Sequence, residues 1–263
     1  FSRKAQIVNY DSHRAMMEAW NSKMWNSTSG LLLWMSHPAW PSMVWQIYSW
    51  DYETFGSFYG CRKACEPIHI QKNLDDQKVV VVNTSLKEIK GAKVIYEVYS
   101  LEGKSLFKRT SKLNVLANGL TECFVQDKPI SASGVYMERL ILQDKRGKVI
   151  SINDYWQDNG EGDFQGFNAL EEASINCKLI RQKESQIQIE LQNTGAMPAL
   201  ALKLNVREAD TDKRILPAYA SDGYFNLLPG EKRTVTVEYV SRGKVAISAE
   251  GYNLKRSRLL TLK

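Results

Sequence analysis

Near residue 66 the chain changes its hydrophobic period, and that change constrains the fold more than any other feature of the 263 residues. Upstream, Trp and Met recur at three- and four-residue spacing; downstream, apolar and polar residues alternate between turn signals. The first period belongs to a helix lying on a core, the second to a strand with one wet face. Met16, Met17, Trp20 and Met24 give a segment over 5–25 its apolar stripe, with Arg14 and Glu18 as an i,i+4 pair on the other side. Asn26-Ser27-Thr28-Ser29-Gly30 stops that helix. Leu31-Leu32-Leu33-Trp34-Met35 reads as a short buried strand, because an unbroken apolar run after a helix matches a parallel strand covered on both faces. A long loop carrying Trp40, Trp45 and Trp50 follows, and then a helix from Gly56 to Cys65.

Strands are predicted at 68–72, 78–84, 92–100, 105–110, 120–126, 135–144 and 148–156. A second set is predicted at 174–181, 185–192, 200–208, 213–216, 224–227, 232–239 and 244–249. Between the sets, Asp158 to Asp163 is a Gly-rich acidic connection without the ligand spacing of a calcium loop. Each set holds about seven short strands in about ninety residues, the pattern of an antiparallel immunoglobulin-like sandwich. A lone strand flanked by helices has two unpaired edges and cannot be a domain. Residues 1–66 therefore read as the last one and a half units of a larger α/β body, for which a (β/α)8 barrel of about 250 residues is the candidate. The expected architecture is mainly β: a barrel end over 1–66, a sandwich over 67–163 and a second sandwich over 164–263. Residues 7–50, Trp34 included, are expected to be covered by a large apolar contact.

Charge and cysteines narrow the function. The net charge of +6 is spread thinly, with six basic and five acidic groups up to residue 66 and 29 against 24 after it. Only Lys255-Arg256-Ser257-Arg258 is a basic cluster, and without interleaved aromatics it reads as a solvated face, so no nucleic-acid partner is expected. No run approaches the roughly 18 apolar residues of a membrane span. Cys61, Cys65, Cys123 and Cys177 form no Cys-x-x-Cys pair. Cys61, Cys65 and His69 have chelating spacing, yet Pro67 should end the helix before His69, and the two thiols then read as small packing residues. No metal and no cofactor is expected. Asn26-Ser27-Thr28 and Asn83-Thr84-Ser85 are glycosylation sequons of a kind that also arises by chance.

Specific residues carry a resemblance. The run Leu31 to Ser42, with Trp45-Gln46-Ile47-Tyr48, Gly56-Ser57-Phe58-Tyr59-Gly60, Cys65-Glu66-Pro67-Ile68-His69-Ile70-Gln71 and Val79-Val80-Val81-Val82-Asn83, resembles the C-terminal third of glycoside hydrolase family 2. Ala5 to Tyr10 with Arg14-Ala15 resembles that family's penultimate barrel helix, and Leu216-Pro217-Ala218-Tyr219 with Leu228-Pro229-Gly230-Glu231 its final sandwich. The similarity is greatest to exo-β-D-glucosaminidases and mannosylglycoprotein endo-β-mannosidases, and it is specific over 31–71.

The resemblance implies a retaining β-glycosidase with two catalytic glutamates about 5–5.5 Å apart, one on barrel strand four after an Asn and one on strand seven. The chain contains no Asn-Glu dipeptide. Both glutamates are thus expected upstream, which leaves no catalytic residue here and predicts that the chain alone is inactive. Asp51 and Glu53 are the carboxylates of the strand-eight loop, and Asp51 also reads as a turn cap. Trp34 would close strand eight, so Trp34, Met35, Ser36, His37 and Trp40 should face the sugar, because barrel sites lie at the C-terminal ends of strands. An indole packs on the C–H face of a pyranose while short polar groups bind its hydroxyls. The same tryptophans would also serve as rim packing, and Trp45 and Trp50 are assigned to packing. The implied partners are a β-linked glucosamine or mannose substrate and the remainder of the barrel; the implied setting is secreted or periplasmic. The alternative is a non-catalytic pair of sandwiches binding glycan or protein, for which Tyr219, Tyr224 and Phe225 would form an aromatic strip.

Overall fold

The computed structural model describes residues 1–42, 46–126, 134–158, 160, 162–240 and 243–262. It is mainly β, with two α-helices, α1 (Ser2–Asn21) and α2 (Gly56–Ala64), a short 3-10 helix at Gln165–Ala169, and four antiparallel sheets among the described residues. The chain divides into two compact units. One joins Phe1–Ser12 and Leu33–Gly60 to Leu170–Lys263; the other joins His13–Leu32 to Cys61–Ala169.

The unit holding Cys61–Ala169 is a seven-stranded sandwich. Strands β1 (Ile68–Lys72), β2 (Lys78–Asn83) and β5 (Gly119–Val125) form one sheet in the order β1-β2-β5. The other sheet runs β4-β3-β6-β7, from β3 (Ile89–Ser100), β4 (Ser105–Val115), β6 (Tyr136–Gln143) and β7 (Val149–Gln157). Ile70, Val79 and Val81 meet Val94, Tyr96, Val98, Leu140 and Leu142 in the core. Alternation made these strands legible, since only every second side chain can enter the space between sheets.

The unit holding Leu170–Lys263 repeats the plan. One sheet is β11-β13-β9-β8, from β8 (Ile175–Lys183), β9 (Gln186–Asn193), β11 (Ala218–Ala220) and β13 (Lys232–Tyr239). The other is β12-β10-β14-β15, from β10 (Ala199–Glu208), β12 (Phe225–Leu227), β14 (Val245–Glu250) and β15 (Ser257–Leu262). Ile187, Ile189 and Leu191 point inward from β9 and Val235 and Val237 from β13. The strand expected at 213–216 is instead an isolated bridge between Arg207 and Arg214, and β11 and β15 are additional strands.

A buried asparagine closes the same corner of each sandwich. Asn83 Nδ2 donates to the carbonyls of Lys87 (2.9 Å) and Leu116 (2.8 Å), and its Oδ1 accepts the Ser85 N–H (3.0 Å). Asn193 Nδ2 donates to Met197 (2.8 Å) and Leu227 (2.9 Å), and its Oδ1 accepts the Gly195 N–H (3.0 Å). An amide replaces turn donors and acceptors that would otherwise be buried unpaired. The sequon at Asn83 is therefore a structural plug in the folded chain, its amide fully occupied.

Two expectations need correction. Residues 31–35 are not a strand. A strand needs neighbours for its N–H and C=O groups, and no described strand pairs with this run. The helix α1 also turns a different face inward. Its buried residues are Arg14 and Glu18, while Trp20 is exposed.

Candidate functional site

The site expected on the strand-eight loop lies in the unit that contains the second sandwich. Trp34 is 81% exposed and Trp40 66%, with Leu32, Trp50 and Tyr52 also exposed. The apolar cover expected over residues 7–50 is thus not present at these positions. The side chains lie along an irregular segment whose other partners are local. The Ser36 carbonyl accepts the N–H groups of Ile47 and Tyr48, both at 3.1 Å. His37 stacks on Tyr52, with ring centroids 4.4 Å apart and planes 13° apart. Its Nε2 lies 3.2 Å from the Trp50 carbonyl oxygen. Only a protonated Nε2 donates to a carbonyl, so in the neutral ring Nδ1 is left as an acceptor. His37, Trp50 and Tyr52 therefore form one cluster. Sequence reasoning assigned Trp50 to packing and missed Tyr52, whose one signal in the sequence is its position between two carboxylates; the structure holds it at a left-handed φ of 63°. Trp45 lies outside the described residues.

The turn that presents Trp50 and Tyr52 is closed by its own backbone. Ser49 N–H donates to the Glu53 carbonyl (3.1 Å), Tyr52 N–H to the Ser49 carbonyl (3.0 Å), and Glu53 N–H to Ser49 Oγ (3.0 Å). Glu53 pairs with Lys203 and Arg214, and Asp51 pairs with Arg214 at 3.3 Å and accepts from the Ser49 hydroxyl. The geometry makes Asp51 and Glu53 anchors of the loop.

Glu18 and Glu66 meet at His69 in the other unit. His69 is fully buried, with Nε2 2.9 Å from Glu18 and Nδ1 3.3 Å from Glu66. Asn153 Nδ2 (2.7 Å) and the Tyr155 hydroxyl (3.0 Å) also donate to Glu18, and Ser151 (2.6 Å) and Lys63 (2.7 Å) donate to Glu66. Arg14 donates to Asn153 Oδ1 at 3.0 Å and lies 4.3 Å over the Tyr155 ring. The motif Glu66-Pro67-Ile68-His69 is thus a structural hub that fixes the end of α1 and is closed to substrate. His69 has both nitrogens committed to carboxylates, so it is not aimed at Cys61 or Cys65. Burial pushes the Cys61 thiol up to about 11.

This hub sets a pH dependence. Burial opposes the charge on His69, but its hydrogen bonds to the Glu18 and Glu66 carboxylates overcome it and raise the imidazole above its ordinary 6.5. Its contribution is complete below about 6.5 and lost as pH climbs through the raised value. Burial likewise opposes ionisation of Glu66, and His69 and Lys63 overcome it, bringing Glu66 from 4.5 to about 2. That contribution is complete above about 4.5 and lost as pH falls toward 2. The melting temperature of this unit should peak between roughly pH 4.5 and 6.5. Scans from pH 3 to 9 should show an alkaline decline that His69→Gln flattens; equal declines in both proteins would refute the assignment.

Of the aromatic strip considered for the second sandwich, Phe225 is buried while Tyr219 and Tyr224 are half-buried. The Arg233 guanidinium lies 4.9 Å from the Phe225 ring centroid. Tyr224 packs against Tyr10 and Tyr59, at centroid distances of 6.4 and 5.8 Å. In the basic cluster, Lys255 pairs with Glu172 (3.4 Å) and Arg256 with Asp212 (2.8 Å).

Comparison with known proteins gives this geometry a context. Residues 153–254 match the family described as the exo-β-D-glucosaminidase Ig-fold domain. An exo-β-D-glucosaminidase of Arthroderma benhamiae is 26% identical, covering 97% of this chain and 31% of that protein. A mannosylglycoprotein endo-β-mannosidase of Lilium longiflorum is 27% identical, covering 96% and 34% respectively. The crystal structure of the Amycolatopsis orientalis exo-chitosanase CsxA superposes with a TM-score of 0.88 at 27% identity, over 97% of this chain and 34% of that one. The chain spans about a third of the length of these relatives.

Proposed function

From an Ig-fold domain of the exo-β-D-glucosaminidase family at residues 153–254, we infer that this chain is the C-terminal portion of a retaining β-glycosidase acting on β-linked glucosamine or mannose. Its contribution is the strand-eight rim of the sugar site and two accessory sandwiches. The observation that carries the reading is the cluster of half-buried His37 with Trp50 and Tyr52, on a segment that also exposes Trp34, Ser36 and Trp40. Large exposed apolar patches mark binding surfaces, and indoles with nearby hydroxyl and imidazole groups suit a pyranose. Trp34 is the platform, and Ser36 and His37 are the hydroxyl partners. Both catalytic glutamates belong to barrel strands outside this chain. Among the rim carboxylates, Glu53 is tied to Lys203 and Arg214 and Asp51 to Arg214. A secreted or periplasmic setting is part of the same proposal.

The chain alone should give no turnover of aryl β-glucosaminide or β-mannoside. Joined to a barrel carrying the two glutamates it should contribute to activity, and Trp34→Ala in that complete enzyme should raise KM. Turnover by the isolated chain would overturn the catalytic assignment. An unchanged KM in Trp34→Ala would overturn the platform. Burial of Phe225, and the packing of half-buried Tyr224 on Tyr10 and Tyr59, weigh against glycan capture by the second sandwich itself.

A further inference from the structure

We propose that Arg214, assisted by Lys203, is a positioning residue for the sugar-site rim: the second sandwich reaches the strand-eight loop and sets the orientation of His37. The inference rests on the rim reading given above and adds to it a part for the last sandwich.

Arg214 leaves a fixed backbone. Its neighbour Ile215 is buried in the sandwich core and donates its N–H to the Val206 carbonyl at 2.9 Å, and Arg214 itself bridges Arg207. From that base the guanidinium engages both Asp51 and Glu53. Lys203, on β10, takes the other oxygen of Glu53. Two carboxylates spaced one residue apart are thereby held by a planar fork and an ammonium. Such a group fixes direction as well as distance, because a guanidinium presents its donors in one plane.

The turn between those carboxylates carries what touches His37. Tyr52 stands between Asp51 and Glu53 and stacks on the imidazole, and the Trp50 carbonyl lies against Nε2. Tyr52 sits at φ 63°, a left-handed conformation that a non-glycine residue holds only when its surroundings impose it. The turn's own hydrogen bonds from Ser49, Tyr52 and Glu53 close it, and the paired carboxylates on either side of Tyr52 tie it to Arg214 and Lys203. Releasing them lets Tyr52 relax, and the face and tautomer of His37 are no longer set. An isolated exposed ion pair adds little stability. The effect expected here is on placement, to which binding is far more sensitive.

The test has two arms. In the chain itself, NMR of labelled histidine reads the ring-current shift of His37 under Tyr52. Arg214→Ala should abolish that shift, Arg214→Lys should retain most of it, and Asp51→Asn with Glu53→Gln should copy the alanine variant. In the complete enzyme, Arg214→Ala should raise KM for an aryl β-glucosaminide by about tenfold or more with kcat little changed, the pattern of a lost ground-state contact. His37 resonances that stay in place in Arg214→Ala would overturn the proposal, as would failure of Arg214→Lys to rescue them. A displaced His37 with an unchanged KM would uphold the positioning and instead overturn the rim reading beneath it.

Discussion

Glu18→Ala should destabilise the unit containing the first sandwich by about 3–5 kcal/mol, the size expected when one member of a buried charged group is removed. Glu18 is 4% exposed and accepts from His69, Asn153 and Tyr155. Deleting its carboxylate leaves Arg14 and an imidazolium facing each other's field without their shared anion. Water cannot substitute without opening the contact between α1 and the sandwich. Glu18→Gln is the control. It keeps an acceptor for Asn153 and Tyr155 and removes only the charge, so its loss should be clearly smaller. Denaturant unfolding of the chain, followed by near-ultraviolet signals from Tyr155 and Trp156, reads the difference. Equal stabilities for wild type and Glu18→Ala would show that the hub contributes no net stability.

The second large effect is steric. A methyl group at Gly56 would stand 2.1 Å from the Gln6 carbonyl oxygen and 3.0 Å from the Tyr10 nitrogen, both of them backbone atoms of α1. The approach is reinforced by the Gly56 N–H, which donates to Gln6 Oε1 at 2.8 Å. Neither helix has a flexible side chain to move aside, so Gly56→Ala should cost about 3 kcal/mol or more, the upper end of overpacking penalties. Displacing the first half of α1 is the cheapest relief, and it would break the packing of Tyr10 on Tyr224. Hydrogen exchange over 2–12 and 56–60 should accelerate together. Gly30→Ala, whose methyl group meets nothing within 4 Å, should leave stability near wild type.

These two sites show how unevenly the chain can be read. The isoleucines of β9 and the threonine–valine alternation of β13 announce strands because the two faces of a sheet see different solvents, and the valine run of β2 does so through β-branched density, both of its faces being buried. Both sandwiches were legible for that reason. The short bridge at Arg214 was taken for a strand, since four residues carry too little periodicity to separate the two. Of the candidate site, the sequence reading selected His37 but not Tyr52, on which His37 stacks, because stacking depends on how the turn around residues 49–53 closes.

Local pattern therefore determined the class of the fold, its two sandwiches and the aromatic richness of the first sixty residues. Period and turn chemistry act over a few residues and survive in the sequence. Only the tertiary structure decided which face of α1 is buried. The apolar stripe pointed to Met16 and Trp20, yet the helix turns Arg14 and Glu18 inward. Their partners His69 and Asn153 lie 51 and 139 residues away along the chain. It also decided that Leu31 to Met35 is not a strand, because a strand exists only where other backbones accept its hydrogen bonds. Periodicity records how much apolar surface an element has. It does not record where a complementary charge will stand once the chain has folded.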